Sequence, residues 1–125
     1  ASGLWSNDDG LRERIQQAGA SEDEIAWPMP LMPAFEKEMT GSKIADVRNL
    51  GTARWGGANT AAAFLKQFGQ EFEGEDGEMS QIPWAHLDIA GVAWVEGEKA
   101  AFDVSWASGF GPRLLDRWIA DNYEN

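Results

Sequence analysis

His86 and Asp88 are the two residues in this sequence best suited to chemistry, since they lie two apart in a predicted strand from Trp84 to Ala90. Alternation along a strand places them on one face, as a metal-binding pair or as a base with its orienting carboxylate. A catalytic zinc needs about three protein ligands and a water, and His86 is the only histidine. The pair therefore has either a structural role at a sheet edge or a role in a small local hydrolase site.

Other candidate centres fail on spacing. Ser108 has glycines after it, but a nucleophile elbow requires glycine two residues before the serine, where Trp106 stands. Gly56 and Gly57 precede a predicted helix, which is typical either of close backbone packing or of an anion-binding N-terminus. A phosphate loop is not indicated, because no lysine follows these glycines at the required spacing.

Composition excludes several classes of function. The formal net charge of −11 disfavours nucleic acid and anionic membranes as partners. No apolar run approaches the roughly 20 residues that a bilayer-spanning helix needs. Absence of cysteine and of a secretory signal at the start of the sequence favours a cytoplasmic location. The acidic segment from Gln70 to Gln81 lacks the register of a calcium loop and is predicted to be a solvated loop.

The elements that must position these residues follow from hydrophobic periodicity and glycine or proline punctuation. The pattern predicts helices at residues 7–18, 34–39 and 58–68, and a last helix after Gly111 and Pro112. Trp27–Pro33 is predicted to be an extended connector, Ile44–Leu50 to be irregular, and Gly97–Ala107 to hold a turn and a short extended run. This order indicates an α/β architecture in which helices cover a sheet.

Four stretches together resemble the leucyl aminopeptidase family. They are Ala45-Asp46-Val47-Arg48-Asn49-Leu50-Gly51, Gly57-Ala58-Asn59-Thr60-Ala61-Ala62-Ala63-Phe64-Leu65, Trp84-Ala85-His86-Leu87-Asp88-Ile89-Ala90-Gly91 and Ala107-Ser108-Gly109-Phe110-Gly111. Their order and approximate spacing match the family, and the third is highly specific. The resemblance implies that residues 1–125 are the C-terminal portion of a three-layer α/β/α metallopeptidase domain, with helices packed on a mixed sheet.

Family members are cytosolic hexamers that remove N-terminal residues, often leucine, from peptides. The resemblance implies two divalent metals, Mn or Zn, held by lysine, aspartates and a glutamate that lie upstream of this chain, in and before an Asn-Thr-Asp-Ala-Glu-Gly-Arg motif. Both metals would polarise substrate and a bridging water or hydroxide. This chain alone would then bind no metal and be inactive. The alternative is a stand-alone, non-catalytic interaction domain derived from the same fold.

The resemblance assigns pocket-wall roles to three residues. Ala90 and Ala93 correspond to positions lining the pocket for the N-terminal side chain, and Leu50 to a position lining the pocket for the next residue. Strand alternation places Ala90 on the face of His86 and Asp88, which we expect to look toward the metal centre. The alanine-rich helix and the preceding glycines are candidate subunit contacts.

Overall fold

The computed structural model describes residues 1–69, 71–94 and 106–124. In that part of the chain four helices and five strands follow one another in the order β1, α1, β2, α2, α3, β3, β4, β5, α4. The helices are α1 (Asp9–Ser21), α2 (Pro33–Thr40), α3 (Gly57–Lys66) and α4 (Pro112–Tyr123). The strands are β1 (Ser2–Ser6), β2 (Ala26–Pro28), β3 (Glu71–Glu73), β4 (Met79–Gln81) and β5 (Ala85–Asp88).

The central sheet is mixed and has the strand order β2-β1-β5. Strand β1 pairs in parallel with β2 and antiparallel with β5, where Trp5 lies opposite His86 and Gly3 opposite Asp88. Periodicity did not predict β1. A five-residue central strand covered on both faces shows no polar alternation, so its sequence carries little strand signal.

One face of the sheet packs on α1 and α4. Leu4 of β1 and Ala26 of β2 are buried in a core with Leu11 and Ile15 of α1 and Leu114 of α4. The side chains on this face of β5 pack against the same core; they are Ala85 and Leu87. This confirms the alternation predicted for β5, with its apolar residues facing helices.

The opposite face carries Trp5, which is 1% exposed. Its indole Nε1 donates a hydrogen bond of 3.1 Å to Oδ1 of Asn59 in α3. Ala62 and Ala63 of the same helix are buried, as is Met39 of the neighbouring α2. Helices therefore lie on both sides of the sheet, and the predicted α/β/α layering is confirmed.

A two-stranded hairpin corrects the prediction of a loop between Gln70 and Gln81. Strands β3 and β4 pair antiparallel, and their turn contains Asp76 and Gly77, the latter at φ 79°. A left-handed glycine after an aspartate is typical of hairpin turns. Both strands are exposed along their whole length, so they lack the alternation that would have revealed them.

Helix α4 begins at a buried carboxylate from a distant part of the chain. Oε2 of Glu24 accepts hydrogen bonds from the backbone N–H groups of Gly111, at 3.0 Å, and Leu114, at 2.9 Å. Oε1 lies 3.0 Å from Nη2 of Arg113. Glu24 therefore caps a helix that begins 88 residues further along the sequence, at Pro112.

Two predictions can be compared with the structure only over the described residues. Most of the turn and extended run predicted between Gly97 and Ala107 lies outside them, although Ala107 forms an isolated antiparallel bridge with Trp94. No helix within residues 1–69, 71–94 and 106–124 is long and apolar enough to cross a bilayer.

Replacing Glu24 with Ala should destabilise the fold by about 2–4 kcal/mol, because it leaves two backbone donors and one arginine without their buried acceptor. Glu22→Gln is the matched control. Glu22 also contacts an arginine of α4, Arg117, but this pair is exposed to solvent and its loss should cost much less than the loss of Glu24. Urea denaturation of the two variants measures the difference, and equal midpoints would contradict the capping role.

Candidate functional site

The residues directly after β5 form a single helical turn. The carbonyl oxygen of Ile89 accepts hydrogen bonds from the N–H groups of Val92, at 2.9 Å, and Ala93, at 2.8 Å. The second bond spans four residues, as in an α-helix. Ala90 and Ala93 are three residues apart on this turn, a spacing that brings side chains to one face. The two residues assigned to one pocket wall thus share a face.

The predicted reason for the position of Ala90 was strand alternation, and the structure shows a different one. Strand β5 ends at Asp88, so Ala90 lies in the turn and not in the strand. Its position relative to His86 is set by the turn's hydrogen bonds and not by strand alternation. Ala90 is exposed and Ala93 half-buried, and among the described residues a Cβ built at Gly91 between them would have no neighbour within 4 Å.

Hydrogen bonds hold the turn at both ends. At its start, Oδ1 of Asp88 accepts a hydrogen bond of 3.0 Å from the N–H of Ala90. At its end, the carbonyl oxygen of Ala93 accepts one of 2.9 Å from the N–H of Ser108. The Ser108 hydroxyl donates to the carbonyl oxygen of Val92. Ser108 thus acts on backbone carbonyls, and its contacts do not support the nucleophile that we considered.

His86 lies between two indole rings. Its ring centroid is 5.8 Å from that of Trp5 and 6.2 Å from that of Trp84, with Trp84 nearly parallel at 14°. Burial among these rings lowers the pKa of His86 below its ordinary value of 6.5, and the nearby Asp88 carboxylate opposes the shift. Burial therefore favours the neutral imidazole, which is the form suited to packing against the rings.

The contacts of His86 and Asp88 do not fit a metal site. One Asp88 oxygen accepts the Ala90 N–H, and the His86 ring is stacked on tryptophan. Throughout the described ranges, no three histidine, cysteine, aspartate or glutamate side chains group closely enough to hold an ion.

Leu50 lies elsewhere, on the irregular segment between α2 and α3. It is 79% exposed and lines a cavity of about 230 Å³ together with Met39 of α2 and Thr60 of α3. Glu38 of α2 fixes the segment by accepting hydrogen bonds from the backbone N–H and the hydroxyl of Thr52. Both bonds lower the pKa of the Glu38 carboxyl, and the bond from the backbone N–H has the larger effect. Neither alanine of the turn is among the residues that line this cavity.

The backbone conformation before α3 explains why residue 56 is a glycine. Gly56 caps the helix at φ 80°, a left-handed conformation that favours glycine. A Cβ at Gly57 would meet none of the described residues within 4 Å, so close backbone packing, one of the two interpretations of this pair, is not seen at Gly57. Close packing occurs instead further along the same helix, at Ala62 and Ala63.

The geometry is that of one portion of an α/β domain, with helices on both faces of a mixed sheet and a candidate pocket wall at the end of one strand. Residues 1–116 match the model of the cytosol aminopeptidase family, catalytic domain. The chain belongs to this family.

Curated relatives support the same assignment. The chain is 46% identical over 123 residues to a probable cytosol aminopeptidase of Methylorubrum populi and 47% identical over 123 residues to one of Allorhizobium ampelinum, each covering 98% of this chain. A probable cytosol aminopeptidase of Brucella melitensis is 45% identical over 125 residues and covers 99%. The chain spans 22–23% of the length of these relatives.

As the pH is lowered, the free energy of unfolding should decrease more steeply for the wild type than for a His86→Gln variant. Because the pKa of His86 is lowered on folding, the unfolded chain binds more protons just below pH 6.5, and acid favours unfolding. This contribution to stability is present above pH 6.5 and is lost as the pH falls toward the lowered pKa. Urea midpoints between about pH 7.5 and 5.5 measure the effect. Carboxylates titrate in both proteins, so identical slopes would contradict the assignment.

Proposed function

We propose that this chain is part of a metal-dependent aminopeptidase and forms one wall of its substrate pocket. The observation that carries the proposal is the family match over residues 1–116. The relatives' names support hydrolysis of N-terminal residues from peptides as the reaction, and a cytosolic setting. The acidic, cysteine-free composition is compatible with that setting.

The chain's own part in this activity would be recognition of the substrate side chain. Ala90 and Ala93 would present two methyl groups from the turn after β5, next to Gly91, where a Cβ would meet none of the described residues within 4 Å. Small apolar side chains at a pocket wall leave room for a larger apolar partner, such as the side chain of an N-terminal leucine. Discrimination per methylene in such pockets is about 1–3 kcal/mol.

Leu50 would contribute to the pocket for the second residue of the peptide. Its exposed side chain is available to a ligand, and Thr52, two residues later, is bound to Glu38. Since the cavity at Leu50 is lined by residues of α2, α3 and their connection, the two subsites would be built on separate parts of the fold.

The metals would be held by residues outside the described part of the chain. His86 and Asp88 would then support the pocket from beneath: Asp88 fixes Ala90, and His86 fills the space between two tryptophans. A neutral, stacked imidazole and a carboxylate that accepts a backbone N–H suit a supporting role better than ion binding or a local hydrolase.

The isolated chain should not hydrolyse leucyl p-nitroanilide when Mn²⁺ or Zn²⁺ is added, because the described residues offer no metal site. A protein in which the chain is joined to the remainder of the catalytic domain should hydrolyse it, and a chelator should remove that activity. Release of p-nitroaniline is the measurement. Metal-dependent activity of the isolated chain, or none in the longer protein, would overturn the proposal.

Assembly into a hexamer is a further part of the proposal. Apart from Leu50, the segment between α2 and α3 exposes the large apolar side chains of Ile44 and Trp55, which a neighbouring subunit or the rest of the domain would cover. The alanine-rich helix contributes less than predicted, because Ala62 and Ala63 are buried within the chain. Ala61, Gly56 and Gly57 remain exposed and could take part in the contact.

Light scattering of the longer protein should give the mass of six chains, since apolar surface left exposed favours self-association. Trp55→Ser should weaken the assembly if this segment lies between subunits, whereas Tyr123→Ser, at the exposed end of α4, is the comparison. A monodisperse monomer of the longer protein would contradict the hexamer.

A further inference from the structure

Ser108 connects two segments that are distant in sequence. Its N–H donates to the carbonyl oxygen of Ala93, at 2.9 Å, and its hydroxyl donates to that of Val92. The same hydroxyl oxygen accepts a hydrogen bond of 3.2 Å from the N–H of Phe110. One serine thus binds two successive carbonyls of the turn and one N–H of its own loop.

Hydrogen bonds hold the turn more than packing does within residues 1–69, 71–94 and 106–124. Ala90 and Gly91 are exposed, and a Cβ at Gly91 would meet none of these residues within 4 Å. Asp88 fixes the first residue of the turn through the Ala90 N–H, and the Ala93 N–H donates to the carbonyl oxygen of Ile89. Ser108 adds the two bonds that hold the carbonyl groups of Val92 and Ala93, beside the bridge between Trp94 and Ala107.

Ser108 is itself held in place from the core. Three residues after it, the N–H of Gly111 donates to the buried carboxylate of Glu24. Gly109 and Gly111 adopt φ of 68° and 112°, which lets the loop reverse direction over this short distance. The buried contact at Gly111 therefore limits the movement of Ser108, which lies three residues earlier and binds the turn.

We propose that Ser108 is a positioning residue that sets the depth of the pocket for the N-terminal side chain, and that its hydroxyl thereby determines selectivity among apolar N-terminal residues. This inference rests on the proposed function, because it takes Ala90 and Ala93 as the pocket wall. Without the hydroxyl, the Val92 carbonyl loses its partner and the wall moves, so bulky and small side chains are no longer discriminated as in the wild type. A misplacement of about 1 Å caused by a substitution away from the reacting atoms can change the rate by about 100-fold.

The test compares wild-type longer protein with Ser108→Ala, Ser108→Cys and Ser108→Thr, using alanyl, leucyl and phenylalanyl p-nitroanilides. Ser108→Ala should change the ratio of kcat/KM for leucyl over alanyl substrate by about fivefold or more, mainly through KM. Ser108→Thr keeps the donor and should stay within about twofold of wild type. Ala93→Met alters the wall directly and should shift the same ratio.

Ser21→Ala is the matched control, since the Ser21 hydroxyl also donates to a carbonyl, that of Ala18, but at the end of α1. It should leave the ratio unchanged. A purely structural role of Ser108 would lower activity toward all three substrates equally, and an unchanged ratio in Ser108→Ala would overturn the proposal. If Ser108→Ala does not fold, Ser108→Cys decides in the same way, because sulfur is a weak donor of nearly the same size.

The outcomes separate the inference from the function on which it rests. If Ala93→Met shifts the ratio and Ser108→Ala does not, Ser108 is not a positioning residue, although the pocket wall stands. If the enzyme is active but neither variant shifts the ratio, both Ser108 and the wall assignment are wrong. Absence of activity in the wild type would overturn the aminopeptidase proposal, and this inference with it.

Discussion

The buried carboxylate of Glu24 is the constraint on which the arrangement of the chain depends. Removing a carboxylate from water costs several kcal/mol, and it is offset here by two backbone N–H groups at a helix N-terminus and by Arg113. The same contact fixes where α4 begins and how it packs on α1. Gly19 of α1 must be glycine, since a Cβ there would lie 2.5 Å from the Glu24 carbonyl oxygen and 2.9 Å from Leu114.

A part of the fold could be predicted from the sequence where the residues that determine it lie close together along the chain. Helix α1 follows from apolar periodicity and the adjacent cap Asp8, and α4 from apolar periodicity and Pro112 in its first turn, so both were predicted within a few residues. Glu24 was not recognised, because Ser21 and Glu24 have the spacing of a local capping box. In the structure Ser21 is the last residue of α1, and Glu24 caps a helix near the other end of the chain. Sequence spacing cannot reveal such a partner.

In the candidate site too, some features could be predicted from a local pattern and others could not. The alternation of β5 predicted that His86 and Leu87 face opposite sides, and this is confirmed by Trp5 beside His86 and by the core beside Leu87. Continuing the alternation to Ala90 failed, because a helical turn follows the strand. The role of Ala90 came from resemblance alone. Hydrogen bonds across the chain then supplied the physical reason for its place beside Ala93, and no periodicity contains that information.

The proposed pocket wall, held in this way, can change without disturbing the fold. Ala90 and Ala93 project from a turn whose hydrogen bonds involve backbone atoms of the turn itself, so substitution of either side chain leaves those bonds intact. The core contacts that fix the loop lie three residues beyond Ser108, at Gly111. Binding preference could therefore vary through the two alanines while the carboxylate and the serine keep the turn in place. A site built directly into the sheet would lack this independence, because each side chain there also packs in the core.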